Sequence, residues 1–306
     1  MAAFDYESST ALVTGASRGI GAELCRELAK RKAGRIVLVA RSERDLQELG
    51  QELIDAYGVD VHIMVADLSD PAAPESIYAE TERLGLTIDL LVNNAGFGSH
   101  GFFDELDPTR EQAMIAVNIS SLVALTRLFL PGMHEREQGG VLNVASTAGF
   151  VPVPFMATYA ATKAFVLSFS EALWSETRER GGDVRVVCLC PGGTDTGFGD
   201  ALGSVRGKFE EAPSMTPEAV AVVGLNALDR NASYVVAGAA NWVGALATRL
   251  APRAMVADYA ATLFLPEDAP KPSTVKAATQ RRIGATALLA GIGALWIGVL
   301  ASKKRG

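Results

Sequence analysis

A chain of 306 residues with 49% hydrophobic and 21% charged side chains can build a substantial core, as one large domain or two ordinary ones. Its net charge of −7 argues against nucleic acid as a partner, and its three cysteines and three histidines supply neither a disulfide framework nor a metal-ligand cluster. Few cysteines suit a reducing compartment, and the N-terminal Met1-Ala2-Ala3-Phe4-Asp5-Tyr6 lacks the basic-then-apolar order of a secretory signal.

From about residue 8 to residue 238, short apolar runs alternate with longer helical patterns. Strands are predicted at 11–13, 36–40, 61–65, 90–92, 141–145, 184–189 and 234–237. Helices are predicted over 20–33, 43–57, 74–83, 109–134, 159–180 and 217–229. Continuous apolar runs suit a sheet buried on both faces, and intervening helices are the crossovers of parallel βαβ units. The pattern therefore predicts a doubly wound α/β fold with a parallel sheet of about seven strands. Cys188 and Cys190 alternate on one of these strands and read as core. Ligands of such sheets lie beyond the carboxyl ends of the strands, and the motifs below all fall there.

After the first strand comes Thr14-Gly15-Ala16-Ser17-Arg18-Gly19-Ile20-Gly21. Its glycines let the backbone approach a pyrophosphate at the positive end of the next helix, although the spacing differs from G-x-G-x-x-G. The second strand ends at Arg41, where an acid would serve a ribose 2′-hydroxyl. A cation there suits a 2′-phosphate, which Arg41 and Arg18 can clamp, so the expected cofactor is NADPH. Asp67 with the Leu68 amide can hold an adenine, and Asn94, Ala95 and Gly96 leave room beside a ribose. Asn118 is a helix amide in an apolar setting and needs partners, from backbone or water.

Tyr159 and Lys163 are four residues apart on a predicted helix and share a face. A neighbouring ammonium favours a phenolate, so Lys163 is expected to lower the Tyr159 pKa and fit it for proton transfer. Ser146, at the end of the fifth strand, can hold a carbonyl oxygen while the proton moves.

Together these residues resemble the classical short-chain dehydrogenase/reductase superfamily over about residues 8 to 240. The resemblance implies a Rossmann-type fold, with Tyr159 as general acid in carbonyl reduction and as base in the reverse direction. Lys163 would bind the nicotinamide ribose, Ser146 would orient the carbonyl, and Asn118 would hold a water linking Lys163 to a proton relay. The segment Pro191-Gly192-Gly193-Thr194-Asp195-Thr196 would contact the nicotinamide, through Pro191, Gly192, Thr194 and Thr196. Homo-oligomers built on the helices at 109–134 and 159–180 are also implied. The layout beyond residue 238 is similar to bacterial short-chain reductases with a C-terminal extension.

Substrate contacts are expected from the apolar, proline-stiffened stretch 150–156 and from a glycine-rich lid at 197–214. His100 could touch substrate but is expected rather as a solvated loop residue. The sequence divides into a catalytic domain at 1–240, a helical extension at 241–265 that covers the pocket, joins subunits or meets a membrane, and a linker at 266–282. Residues 283–301 carry no charge and are flanked by Arg281-Arg282 and Lys303-Lys304-Arg305. As a helix they would span about 28 Å, close to the ~30 Å hydrocarbon thickness. They read as a transmembrane anchor that keeps the domain cytoplasmic; a buried helix or dimerisation hairpin in a cytoplasmic enzyme is the alternative. The function expected is NADPH-dependent reduction of a hydrophobic ketone or aldehyde. Alcohol oxidation and a non-catalytic NADP(H)-binding membrane scaffold are the alternatives.

Overall fold

The structure is a computed structural model and describes residues 3–198 and 214–266. Seven strands form one parallel sheet: β1 (Thr10–Thr14), β2 (Arg35–Ala40), β3 (Asp60–Val65), β4 (Leu90–Asn93), β5 (Gln138–Val144), β6 (Asp183–Cys190) and β7 (Tyr234–Val236). Their order is β3-β2-β1-β4-β5-β6-β7, so the winding reverses between β1 and β4. Crevices for ligands open at such a reversal.

Alternation along the strands explains why both faces are dry. Leu12, Val37, Leu91, Val141 and Val186 enter one core with Leu125, Phe129 and Met133. Their neighbours Val13, Leu38, Val92, Leu142 and Val187 enter the other, with Leu24, Leu46 and Leu225. Strand side chains point alternately to opposite faces, so a run with no polar position is what a two-sided core demands. Cys188 and Cys190 belong to a third cluster with Leu122 and Val166, in keeping with their core assignment.

The helices are α1 (Gly19–Lys30), α2 (Glu43–Tyr57), α3 (Ala73–Arg83), α4 (Pro108–Ile115), α5 (Leu122–Glu135), α6 (Ala157–Arg180) and α7 (Pro217–Asp229). Two have clear local stops. The Ser42 hydroxyl accepts from Asp45 N at the start of α2, and Gly58 ends it with φ of 67°. Thr216 caps α7 by accepting from Ala219 N, with Pro217 in the first turn.

One helix predicted over 109–134 is instead three pieces. A π-helical segment, Ala116–Ser121, separates α4 from α5, and Asn118 lies inside it. The run Pro108–Glu135 is long and apolar enough to cross a membrane, with a mean hydropathy of 1.8 over its most apolar 18 residues. Leu125, Phe129 and Met133 nevertheless pack on the sheet, which explains its composition.

After β7 the chain forms α8 (Ala239–Thr248) and α9 (Arg253–Phe264). At its end α9 brings Phe264 against the apolar cluster around Tyr159, so part of the extension covers the site. Positions 199–213 of the expected lid, the linker from 267, and the anchor at 283–301 lie outside the described residues.

Candidate active site

The glycine run bends back on itself at the reversal of the winding. Gly15 and Gly19 have φ of 64° and 58°, a region that favours glycine. A Cβ on Gly21 would sit on the Gly15 carbonyl oxygen and the Asn94 amide, so the turn closes only without one. Across the reversal, the Thr14 hydroxyl donates to Val92 O at 3.2 Å and accepts from Asn94 N and Ala95 N at 3.0 and 3.1 Å. Asn94 Nδ2 donates to Thr14 O at 2.9 Å. One threonine and one asparagine thus fasten β1 to β4. Gly21→Ala should destabilise the fold by about 1–3 kcal/mol through overpacking. It should also abolish nucleotide binding, read by denaturant melts alongside a nucleotide titration.

The start of α1 has the chemistry of an anion site. No side chain caps it at Arg18, and its first turn holds no acid. Free amides and the helix dipole therefore favour a phosphate there. Thr196 lies over Gly19, where a Cβ would meet its side chain at 3.1 Å. Ser17 and Ile20 complete the turn, with Arg18 exposed.

Arg41 and Asp67 end the adjacent strands β2 and β3. Arg41 is exposed, with Nη1 4.0 Å from Asp67 Oδ2. Asp67 Oδ1 accepts from Ser69 N at 2.9 Å and from Ser69 Oγ at 2.8 Å. The Ser69 amide holds the Asp67 carboxyl below its ordinary value, helped by the Ser69 hydroxyl and Arg41 and opposed by partial burial. Leu68 is buried, and its carbonyl accepts from Ser121 Oγ at 2.6 Å.

The three residues expected to move the proton come together after β5 and on α6. Ser146 follows β5 and caps a short 3₁₀ turn, accepting from Ala148 N at 3.1 Å. Its hydroxyl also acts on the Tyr159 phenol, favouring the ionised form. On α6, Lys163 Nζ donates to Val144 O at 2.8 Å and stands 5.8 Å from the Tyr159 ring centre. A Cβ on Gly96 would come within 3.0 Å of Asn118 Oδ1 and 3.3 Å of Lys163 Nζ, so that glycine keeps the space beside the ammonium open.

Burial dominates the electrostatics. It pushes the Tyr159 phenol up to about 12, opposed by the Ser146 hydrogen bond. It pushes the Lys163 ammonium down to about 8, with Cys188 and Cys190 acting the other way. The expected depression of Tyr159 by Lys163 is therefore absent from the protein alone. At the pH where the phenol would ionise, the buried lysine has already lost its proton and exerts no pull. A protonated phenol backed by an ammonium is the state that holds near neutral pH.

Asn118 finds its partners in protein groups. Its Nδ2 donates to Phe97 O and Thr162 Oγ1, both at 3.0 Å, and its Oδ1 accepts from Phe97 N at 3.2 Å. Thr162 Oγ1 in turn donates to Tyr159 O at 2.7 Å. The amide ties the β4 loop to the helix carrying Tyr159 and Lys163, and the π segment around it interrupts the regular backbone ladder.

The loop 191–196 is held from three sides. Thr147 N donates to Pro191 O at 2.8 Å, and Met215 N donates to Gly193 O at 2.9 Å. Gly192 packs so closely on Asn241 of α8 that a Cβ would overlap the amide. Thr194 Oγ1 donates to Gly192 O at 3.1 Å.

Beside Tyr159 lies an apolar cluster of Met114, Val153 and Met156, packed against Phe97, Val151, Phe198 and Phe264. The Phe198 ring centre is 5.4 Å from that of Tyr159. Part of the predicted stretch 150–156 thus borders the site, but Phe150 turns the other way, onto Tyr234 at 5.9 Å. His100 is a correction. It is 4% exposed, with Nε2 2.7 Å from Phe264 O, because α9 folds over the loop that carries it. Thr162, Phe198, Asn241 and Phe264 were not singled out from the sequence, and Thr14 was quoted only as the first residue of the glycine motif. Only Thr14, a hydroxyl closing an apolar strand, gave a local signal.

Residues 9–206 match the family model for short chain dehydrogenase. The chain is 41% identical over 184 residues to the very-long-chain 3-oxoacyl-CoA reductase of Anas platyrhynchos, covering 58% of this chain and 57% of that protein. It therefore spans little more than half the length of that curated relative. It is 31% identical over 224 residues to the 7beta-hydroxysteroid dehydrogenase of Mediterraneibacter gnavus, covering 73% of this chain and 84% of that one. Among solved structures, a short-chain dehydrogenase from Sphingobium yanoikuyae in complex with NADPH superposes with a TM-score of 0.69 at 31% identity. That match covers 79% of this chain and 94% of the other. The chain belongs to the short-chain dehydrogenase family.

Proposed function

We propose that the protein is an NADPH-dependent reductase of hydrophobic ketones or aldehydes. The observation that carries this reading is the meeting of Ser146, Tyr159 and Lys163 beside Gly96, with an apolar cluster on the Tyr159 side. NADPH, when bound, supplies the hydride. The open start of α1, with Arg18 and Arg41 at the ends of neighbouring strands, fits its phosphates. Asp67 and Leu68 suit the adenine end. Asn94, Ala95 and Gly96 border the ribose, while Pro191, Gly192, Thr194 and Thr196 lie on the loop toward the nicotinamide.

Two hydroxyls then meet the carbonyl oxygen. Ser146 donates a hydrogen bond, Tyr159 transfers its proton, and the Lys163 ammonium stabilises negative charge as it develops. Asn118 keeps the helix bearing the last two in place through Phe97 and Thr162. A phenol raised to about 12 is protonated at neutral pH and so is in the state needed to donate a proton.

The apolar wall supports a lipidic substrate. The names of the relatives agree in kind, one acting on a long acyl chain and the other on a steroid. Residues 283–301 are proposed as the membrane anchor on their uncharged length and cationic flanks alone. The test is NADPH oxidation by the full-length protein in mild detergent, against carbonyl compounds graded in chain length and ring size. Turnover that rises with substrate hydrophobicity supports the reading. Turnover confined to alcohols with NADP⁺ would replace it with the oxidative one.

Cofactor choice has its own variant. Arg41→Ala removes a charge-assisted contact worth about 1.5–3 kcal/mol. It should raise the KM for NADPH roughly 10- to 100-fold on the same basis, while leaving the KM for NADH almost unchanged. Equal effects on both would take Arg41 out of 2′-phosphate recognition.

A further inference from the structure

Along α8 and the turn after it, Trp242, Leu246 and Leu250 are 50%, 45% and 86% exposed. Residues four apart share a helix face, so the three form one apolar ridge. It borders a shallow groove whose lining includes Phe150, Tyr234 and Val236. Arg249 sits beside the ridge, its guanidinium 5.9 Å from the Phe150 ring centre and 6.0 Å from that of Tyr234. Arg253, also exposed, opens α9. From residue 231 to residue 257 these two arginines are the only charged side chains, in a chain whose net charge is −7.

A Trp/Leu face with cations beside it and no acid has the composition of a helix that lies in a bilayer surface. Set against a chain whose net charge is −7, that local positive sign matches anionic headgroups. A second copy of the chain fits less well. A two-fold contact would bring four arginines together with no carboxylate from the same stretch to meet them. A ridge of three side chains also falls short of the ~800 Å² per partner of a stable interface.

We propose that the ridge Trp242–Leu246–Leu250 seats in the headgroup region of an anionic lipid bilayer, with Arg249 and Arg253 against lipid phosphates. The position has a use. Asn241 of α8 rests on Gly192 of the 191–196 loop, and α9 ends with Phe264 in the cluster around Tyr159. The ridge itself borders Phe150 and Tyr234, on the face away from the Tyr159 cluster, so its link to the site runs through Asn241 and Gly192. This contact is separate from any span by residues 283–301.

The test places a fluorophore on Leu250→Cys in the full-length chain, reconstituted into phosphatidylcholine vesicles with or without phosphatidylglycerol. The native Cys25, Cys188 and Cys190 are buried, so labelling is selective. Ile54→Cys is the control, 44% exposed on α2 at the opposite sheet edge. The label at position 250 should shift to the blue and be quenched by nitroxide lipids about 5–10 Å deep. The effect should be stronger with phosphatidylglycerol and weaker in Arg249→Gln/Arg253→Gln, and the position 54 label should stay wet. Identical behaviour at both sites overturns the proposal, whether or not the chain resists carbonate extraction through residues 283–301. A blue shift already present without lipid and lost on dilution overturns it in favour of a second copy.

Discussion

Tyr159→Phe should lower reductive turnover by about 10²–10⁴-fold, the range a positioned general acid contributes, while NADPH still binds. The substitution removes one oxygen from a ring that is 8% exposed and leaves its apolar packing in place. Ser146 keeps the bond from Ala148 N. The fold should therefore survive, as should the nucleotide groups on the β1 and β2 loops. Stopped-flow binding beside steady-state turnover separates the two effects. Unchanged turnover would remove Tyr159 from proton transfer and revive the scaffold alternative.

Lys163→Met should abolish most activity and yet stabilise the protein. The sign follows from burial, which lowers the Lys163 pKa from its ordinary 10.5 to about 8. Between those values the unfolded chain binds a proton that the folded chain does not. The ammonium therefore costs stability in full below about pH 8, and the cost fades as pH rises toward 10.5. At about 1.4 kcal/mol per pKa unit, the cost is on the order of 3 kcal/mol. Losing the hydrogen bond to Val144 O offsets about 1 kcal/mol. Methionine, of similar length, should melt higher than the parent at pH 7 and lose that advantage near pH 10.5. The parent's reductive rate should fall as pH passes about 8, where the ammonium is lost. A variant less stable at neutral pH would show that Lys163 belongs to the packing more than to the chemistry.

The sheet was readable because its strands are apolar without interruption. Each of Leu12, Val37, Leu91 and Val186 alternates with a neighbour that is also buried, a pattern with few other folds to serve. The predicted bounds of α2 and α7 agree with the structure, where Ser42, Gly58, Thr216 and Pro217 act locally. The π segment was not readable, because the run reads as one continuous helix and the bonds that Asn118 makes inside it reach Phe97, distant in sequence. The grouping of Ser146, Tyr159 and Lys163 followed from helical spacing plus the end of a strand. Their electrostatics did not follow, since spacing says nothing about how dry the cleft is. Phe264 and His100 meet only because a helix beyond the sheet folds back over the β4 loop, a contact of long range with no periodic signal.

The fastening of β1 to β4 by Thr14 carries one more consequence. The bonds it makes join residues about eighty apart in sequence, and such long-range closures come late in folding because the loop between them must be ordered first. Until that seam shuts, the glycine turn has no Asn94 beside it and the crevice has only one wall. Nucleotide capture is thus a test of complete assembly. A chain with half a sheet has nothing to grip the cofactor with, and a chain that grips it has already joined its two halves.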